Sequence, residues 1–269
     1  NYLIVDEAHH LESATTEAMS FRLRAPDVTR LVREIGSTEQ GILGQLLSLA
    51  KPLLKPSDLS ALTMAIEHAT DQAFRLDNAM TAYFKALDFV LEELREGKPL
   101  GTYPQQARIL PATRTLPCWL DVEIAWEQAK ANLEALLEAL KTVREILRAL
   151  AEADVEEAED LLGSLASING NLQEIGIQVD NLTLSPDPNQ IYWVELDPLQ
   201  GRLSLQVAPL QIGYLMEKYL WHQKASVVLT SATLTTHGEF DYLRNRLSAY
   251  EADELILGSP FDYENAALV

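Results

Sequence analysis

The sequence predicts an α+β fold that is mainly α, in which a long helical domain is inserted into part of an α/β domain. Two observations lead to this prediction. Two short apolar runs rich in strand-forming residues, Tyr2–Val5 and Ser226–Leu229, lie towards opposite ends of the chain. Between them, apolar residues recur every three or four positions over three long stretches, which is the spacing of an amphipathic helix.

The two apolar runs predict parallel strands. Neither run alternates polar with apolar residues, which is typical of a strand that is buried on both faces. We expect both to share one sheet. The first run ends at Asp6 and the second at Thr230 and Ser231.

Three long helices are predicted in the middle of the chain. The first follows the potential caps Ser57 and Asp58 and is stopped by Gly97 and Pro99. Its apolar stripe comprises Leu62, Ile66, Ala69, Ala73, Leu76, Met80, Tyr83, Leu87, Val90 and Leu94. The second follows Asp121, with Trp126, Ala129, Leu133, Leu136, Leu140, Val143, Leu147 and Leu150. The third follows a cap at Asp154, with Val155, Ala158, Leu162, Leu165, Ile168, Leu172 and Ile175. Such stripes can bury one another in an elongated bundle.

The pattern changes to that of strands after the third helix. Residues 190–207 predict a β-hairpin with a turn that contains proline and glycine, and Leu210–Trp221 predicts a short helix. The predicted domains are therefore residues 1–14 with 208–269 for the α/β part, residues 15–189 for the helical domain, and residues 190–207 for a hairpin that joins the two.

The composition limits the classes of function. The chain of 269 residues has 40 acidic and 21 basic side chains, a net charge of -19, which repels nucleic acid unless a local basic surface overrides it. A single cysteine, Cys118, excludes an internal disulfide and is expected to be a structural thiol, which favours the cytoplasm. Neither a membrane span nor a signal peptide is predicted.

One segment between the first two helices is basic. Residues 97–120 contain four prolines and no acidic residue. The basic and aromatic side chains that could contact single-stranded DNA there are Lys98, Tyr103, Arg108, Arg114 and Trp119. The alternative is a loop that packs on the end of the bundle through its own prolines and aromatic residues. The sequence leaves both open.

Two adjacent carboxylates follow the first predicted strand. Ligands bind outside the carboxyl ends of the strands in open parallel sheets, so Asp6 and Glu7 are candidates for a site. One carboxylate could hold Mg²⁺ and the other could accept the proton of an attacking water. We therefore expect a metal-assisted hydrolytic site at this strand end.

The motifs at both ends of the chain identify a family. The strings LIVDEAHHLE at residues 3–12, SVVLTSATLTTHGEFDYLRNRL at residues 226–247 and LGSPFDY at residues 257–263 resemble motifs II and III and their surroundings in the DinG and XPD (Rad3-like) branch of superfamily 2 helicases. The hairpin string IYWVELDPLQGRLSL is also similar to the segment before motif III in DinG-type proteins. The resemblance implies a RecA-like motor domain with an arch domain inserted between its motifs II and III.

The resemblance also implies roles for single residues. Asp6 would hold Mg²⁺, Glu7 would activate the water that attacks ATP, and His9 would link the nucleotide site to motif III. Ser231 and Thr233 would couple the nucleotide state to the grip on DNA. His10 stands where the family has asparagine, and no role is assigned to it.

The resemblance implies that other parts of the motor are missing from this sequence. No GxxxxGK[ST] phosphate-binding loop occurs, and the chain begins at Asn1 inside the motif region. We therefore expect a piece of an ATP-dependent 5′–3′ DNA helicase that hydrolyses no ATP alone, with the rest of the helicase chain as its partner. A single cysteine cannot hold an iron–sulfur cluster, and whether the parent protein has one stays open.

Two other classes of function remain open at this point. The chain could be a non-enzymatic, acidic helical module that binds proteins, with the motor residues as a scaffold. It could also be an ATPase unrelated to helicases, but that hypothesis leaves the TSATL and GSPFDY strings unexplained.

Overall fold

The structure is a computed structural model that describes residues 1–98, 101–152, 155–199 and 201–258. The chain forms two compact units. The small unit contains Asn1–Met19 and the chain from Pro209 onward, and the helical unit contains Ser20–Ala208. The mixed α+β, mainly α fold class is confirmed.

The described elements are numbered in chain order. The helices are α1 (Leu11–Ala18), α2 (Ala25–Ile35), α3 (Gly41–Ala50), α4 (Pro56–Leu94), α5 (Trp119–Ala151), α6 (Glu156–Thr183), α7 (Gly213–Met216) and α8 (Asp241–Leu247). The strands are β1 (Tyr2–Val5), β2 (Phe21–Arg24), β3 (Gln105–Arg108), β4 (Gln190–Asp197), β5 (Arg202–Pro209) and β6 (Ser226–Leu229). Short 3₁₀ turns lie at Ala8–His10 and Thr113–Thr115, and a π-helical turn at Glu217–Trp221 follows α7.

The three predicted long helices are confirmed as α4, α5 and α6. Their predicted stripes are buried in one continuous core, except that Leu94 is exposed and Val155 and Leu162 are only partly buried. The start of α4 differs from the prediction, because Pro56 occupies its first turn and Lys55 is the N-cap, ahead of Ser57 and Asp58. At its other end, Glu96 and Gly97 take left-handed backbone conformations that cannot continue a helix. The predicted stop at Pro99 and cap at Asp154 lie outside the described residues.

The predicted hairpin is confirmed as β4 and β5, but it is part of a larger sheet. The sheet has the order β2-β5-β4-β3. Its two edge strands, β2 and β3, were not predicted, nor were helices α2 and α3. Tyr192, Val194 and Leu205 on the central strands join the core of the helical unit. This packing places the hairpin inside the helical unit, whereas the prediction made it a connector between the two domains. The boundaries between the compact units lie between residues 19 and 20 and between residues 208 and 209.

The small unit contains a parallel pair of strands. As expected, β1 and β6 share a sheet, in the register Tyr2↔Ser226 to Val5↔Leu229. The expectation that both strands are buried on both faces is wrong, because Ile4 is 71% and Val228 47% exposed. These two residues are paired and lie on the same face, while Leu3 and Leu229 are partly covered.

A separate small core supports this strand pair. It contains Ile212, Met216 and Leu247, with Trp221 packed against it. The helix predicted at Leu210–Trp221 is shorter than expected, since α7 gives way to the π-helical turn after Met216. Within the described residues, no helix is both long and apolar enough to span a bilayer.

Candidate nucleotide site

The two parallel strands bring their carboxyl ends to the same edge. The amide of Thr230 donates to the carbonyl of Val5 at 2.9 Å, and the amide of Ala8 donates to the carbonyl of Thr230 at 3.0 Å. These bonds extend the pairing of β1 and β6 beyond the last strand residues. As a result, the residues after β1 lie directly beside those after β6.

Asp6 is fixed by the neighbouring strand end. The Thr230 hydroxyl donates to Asp6 Oδ1 at 2.6 Å. This bond, followed by one from the backbone amide of Glu7, holds the pKa of Asp6 below its ordinary value. Asp6 is exposed, so its ionised carboxylate is accessible to a cation.

Glu7 is held in a conformation that is uncommon for a residue with a side chain. Its φ of 50° is left-handed, and it forms the entry to the 3₁₀ turn at Ala8–His10. Strained backbone of this kind costs about 1–3 kcal/mol and is concentrated at functional sites. The Glu7 carboxylate accepts a hydrogen bond from Ser231 at 3.3 Å and lies 3.2 Å from His9 Nδ1.

Ser231 connects the two strand ends. Its hydroxyl lies 2.8 Å from His9 Nδ1 and accepts from the amide of Thr233 at 3.3 Å. A hydroxyl has one proton, so if Ser231 donates it to Glu7, then His9 must donate from Nδ1. These hydrogen bonds link Ser231 and Thr233, which follow β6, to Glu7 and His9, which follow β1 and are far away in sequence.

The donor set suits a magnesium ion that is shared with a phosphate ligand. Among the described residues, no group of three or more histidine, cysteine or acidic side chains could hold a metal by itself. Mg²⁺ is usually bound by one or two carboxylates together with waters and substrate phosphates. Asp6, ionised and fixed by Thr230, fits that requirement.

Thr230 was missed as a site residue in the sequence analysis. The signal was present, because parallel strands that end together place the first residues after them side by side. Asp6 follows Val5, and Thr230 follows its partner Leu229. The string LGSPFDY can be followed only to Gly258, and Ser259–Tyr263 lie outside the described residues.

The predicted DNA-contacting residues divide into two groups. Lys98, Tyr103 and Arg108 are exposed, with Lys98 Nζ 3.9 Å from a carboxylate oxygen of Glu96. Arg108 lies on β3, opposite Trp193. These three remain accessible to a ligand.

The other two predicted residues are structural, which corrects the prediction. Trp119 is fully buried and donates from Nε1 to the carbonyl of Thr183 at 3.3 Å, so it cannot stack on a base. Arg114 donates from Nε and Nη2 to the carbonyl of Leu182 at 3.1 and 2.8 Å, over the ring of Tyr192. Burial lowers the pKa of Arg114. Both side chains satisfy carbonyls that the end of α6 leaves without helical partners, which supports the loop-packing alternative for this part of the segment.

The comparisons with known proteins agree with the motifs. No family model matches the chain. It is 26% identical over 98% of its length to ATP-dependent DNA helicase DinG of Photobacterium profundum, and 24% identical over 97% of its length to 3'-5' exonuclease DinG of Bacillus subtilis. A shorter match, 30% identical over 30% of the chain, is to ATP-dependent DNA helicase YoaA of Escherichia coli.

The chain spans only about a third of the length of these DinG relatives, 36% of the first and 28% of the second. The resemblance that the motifs indicated is nevertheless continuous across both units. Over nearly its whole length, this chain is similar to proteins named DinG.

Proposed function

We propose that this chain is part of an ATP-dependent 5′–3′ DNA helicase of the DinG type, and that it carries the magnesium and water end of the ATP site. The observation that supports this most is the cluster of Asp6, Glu7, His9, Ser231 and Thr233 at the joined ends of β1 and β6. The helical unit would be the arch domain, which helps to enclose translocating single-stranded DNA.

The residues of the cluster would have separate roles. Mg²⁺, when bound with ATP, would neutralise charge on the phosphates. Asp6 would hold the ion, while Thr230 fixes the orientation of the carboxylate. Glu7 would accept a proton from the attacking water, which requires an ionised carboxylate. The hydrogen bond from Ser231 to Glu7 would then have to break, or the water would have to bind beside it.

His9, Ser231 and Thr233 would report the state of the nucleotide. A change at Glu7 alters its bond to Ser231, and Ser231 is bonded in turn to His9 and Thr233. A displacement at the phosphates would therefore reach the segment that follows β6. In the proposed cycle, this segment changes the grip on DNA.

The chain itself would not hydrolyse ATP, because its sequence contains no GxxxxGK[ST] loop to bind the phosphates. Its partners would be the rest of the helicase chain and single-stranded DNA, in the cytoplasm. An iron–sulfur cluster, if the whole protein has one, would need ligands other than the single Cys118.

The names of the relatives make a direct assay necessary. One DinG relative is named a helicase and another an exonuclease, and this chain is similar to both. The complete natural protein should be assayed for ATP hydrolysis with and without single-stranded DNA, and for unwinding of duplexes with either a 5′ or a 3′ tail. The same duplexes, labelled at their ends, report exonuclease activity through the release of labelled nucleotides.

The proposal predicts DNA-stimulated ATP hydrolysis and unwinding of the 5′-tailed duplex only. Asp6→Asn should abolish both, while Lys85→Ala, on an exposed position of α4, should leave both unchanged. Unwinding from the 3′ tail, or nucleotide release without ATP hydrolysis, would contradict the proposal.

A further inference from the structure

The four-stranded sheet of the helical unit has one side that does not join the core. Alternate residues of β4 are buried, and the residues between them point to the other side. We call this side the open sheet face and define it by Arg22, Gln106, Arg108, Trp193 and Glu195. Strand register places Arg108 opposite Trp193 and Gln106 opposite Glu195.

Side-chain contacts confirm that these residues share a face. Arg22 Nη2 lies 3.6 Å from Glu195 Oε1, and Gln106 Nε2 donates to Glu195 Oε2 at 2.8 Å. These two contacts reach Glu195 from opposite edge strands of the sheet. The Glu195 carboxylate, in the middle of the face, is therefore ion-paired with Arg22 and hydrogen-bonded by Gln106.

The two arginines of the face belong to its two edge strands. Arg22 on β2 is 56% exposed in its side chain, and Arg108 on β3 is exposed. Three strand spacings of about 4.8 Å place the backbones of β2 and β3 about 14 Å apart, and the guanidinium of Arg22 reaches over β5 to Glu195 on β4.

Trp193 lies between these edges, beside Arg108. It is partly exposed, and it lies on the side of β4 that does not contribute to the core. Its Nε1 is buried and has no hydrogen-bond partner among the described residues, which is uncommon for an indole. An aromatic ring next to an arginine on an open sheet is the arrangement on which single-stranded nucleic acid binds by stacking and phosphate contact.

We infer that the open sheet face binds single-stranded DNA, with phosphates at Arg22 and Arg108 and a base stacked on Trp193. The choice of DNA over other polyanions rests on the proposed helicase function. The face differs from the basic segment predicted from sequence, because it contains Arg22 and Trp193, which come from other strands, and excludes Arg114 and Trp119.

The test uses the full 269-residue chain and a labelled oligothymidine, whose binding is measured by fluorescence anisotropy at several salt concentrations. Arg22→Ala/Arg108→Ala should weaken binding at least tenfold and lower the slope of log K against log salt by about 1.4, the value for two lost phosphate contacts. Trp193→Ala should weaken binding about fivefold or more through a lost stacked base, and Trp193→Phe should restore most of it.

The matched control removes the same charge elsewhere. Lys85→Ala/Arg144→Ala takes two positive charges from exposed positions on α4 and α5 and should leave affinity and salt slope close to those of the unchanged protein. Equal losses in both double variants, or no loss in the Arg22/Arg108 variant, would overturn the inference. Binding of a poly-glutamate peptide that is lost in the Arg22→Ala/Arg108→Ala variant, while oligothymidine binding is unchanged in that variant, would overturn it in favour of an acidic protein partner.

The outcome is independent of the ATPase test. If the complete protein hydrolyses no ATP but this chain binds DNA through Arg22, Arg108 and Trp193, the proposed function fails and the inference stands. If ATP hydrolysis depends on Asp6 while the open sheet face contributes nothing to DNA binding, the inference fails and the proposed function stands.

Discussion

The helical unit and the small unit use their residues in opposite ways. The helical unit buries its apolar side chains in one continuous core that runs through α4, α5 and α6 and under the four-stranded sheet. Among the described residues of the small unit, the core contains three buried residues with a few partly buried neighbours, and Ile4 and Val228 are exposed on the strand pair. Several of its side-chain hydrogen bonds lie where β1 and β6 end.

This contrast indicates a division between stability and chemistry. Polar bonds in the helical unit, such as those of Arg114 and Trp119, satisfy helix carbonyls and are partly or fully buried. Those in the small unit join exposed ionisable groups, among them Asp6, Glu7 and His9. Substitutions should therefore reduce stability in the first unit and activity in the second.

The largest stability effect is expected in the core of the helical unit. Leu136→Ala removes a fully buried side chain and leaves a cavity, which should lower the free energy of unfolding by about 2–5 kcal/mol. Urea unfolding followed by far-UV circular dichroism measures this change. Met64→Ala, on an exposed position of α4, is the control and should change stability by less than about 0.5 kcal/mol. Equal effects of the two would show that α5 is not held by this core.

A smaller effect is expected at Asp180 on α6, which accepts hydrogen bonds from both Trp126 Nε1 and Lys130 Nζ. Asp180→Asn should lower the free energy of unfolding by about 1–3 kcal/mol, because the buried Trp126 loses its charged hydrogen-bond acceptor. Urea unfolding at neutral pH measures the loss, with Asp71→Asn, an exposed ion-pair partner of Arg75, as the control.

The same residue predicts a pH dependence. Burial raises the pKa of Asp180, but the bonds from Lys130 and Trp126 outweigh it and leave the pKa below the ordinary 3.8. A carboxylate with a lowered folded pKa stabilises the protein above its unfolded pKa, and this contribution is lost as the pH falls through the folded pKa. The Asp180→Asn variant should therefore lose less stability than the unchanged protein between neutral pH and pH 3, and a parallel loss would contradict this assignment.

The smallest effect is expected on the exposed face of the small unit. Ile4→Thr and Val228→Thr change paired residues that contribute little to the core, so each should alter local stability by less than about 0.5 kcal/mol. Hydrogen exchange at the amides of Ala225 and Thr230, which bond to β1 or its flanking residue, reports the pairing. A strong increase in exchange would show that this face is part of the core after all and would remove the contrast between the units.

Much of the architecture could be predicted from local spacing. The three-and-four spacing located α4, α5 and α6 because each helix buries one stripe, and the two apolar runs located β1 and β6. Spacing could not locate β2 and β3, which have four residues each and gain their stability from pairing with β5 and β4. It also overestimated the burial of β1 and β6, since burial depends on what packs against a strand.

The position of the candidate site was easier to predict than its surroundings. Asp6, Glu7 and Ser231 could be placed at strand ends from sequence, since parallel strands end at a common edge. The roles of Arg114 and Trp119 could not, because a basic and aromatic composition fits both a DNA-contacting loop and a cap on a helix end. What decides between the two roles is the pair of hydrogen-bond acceptors. Arg114 and Trp119 donate to the carbonyls of Leu182 and Thr183, which are distant from them in sequence.

In the proposed function, Glu7 activates water for ATP hydrolysis while Asp6 and Thr230 form the metal end of the site. The most direct test compares Glu7→Gln with the unchanged complete protein in single-turnover ATP hydrolysis and in ATP binding. If Glu7 is the general base, hydrolysis should fall about 10²–10⁴-fold while ATP still binds, because glutamine keeps the shape but cannot accept the proton. Hydrolysis at an unchanged rate would show that Glu7 is not the general base.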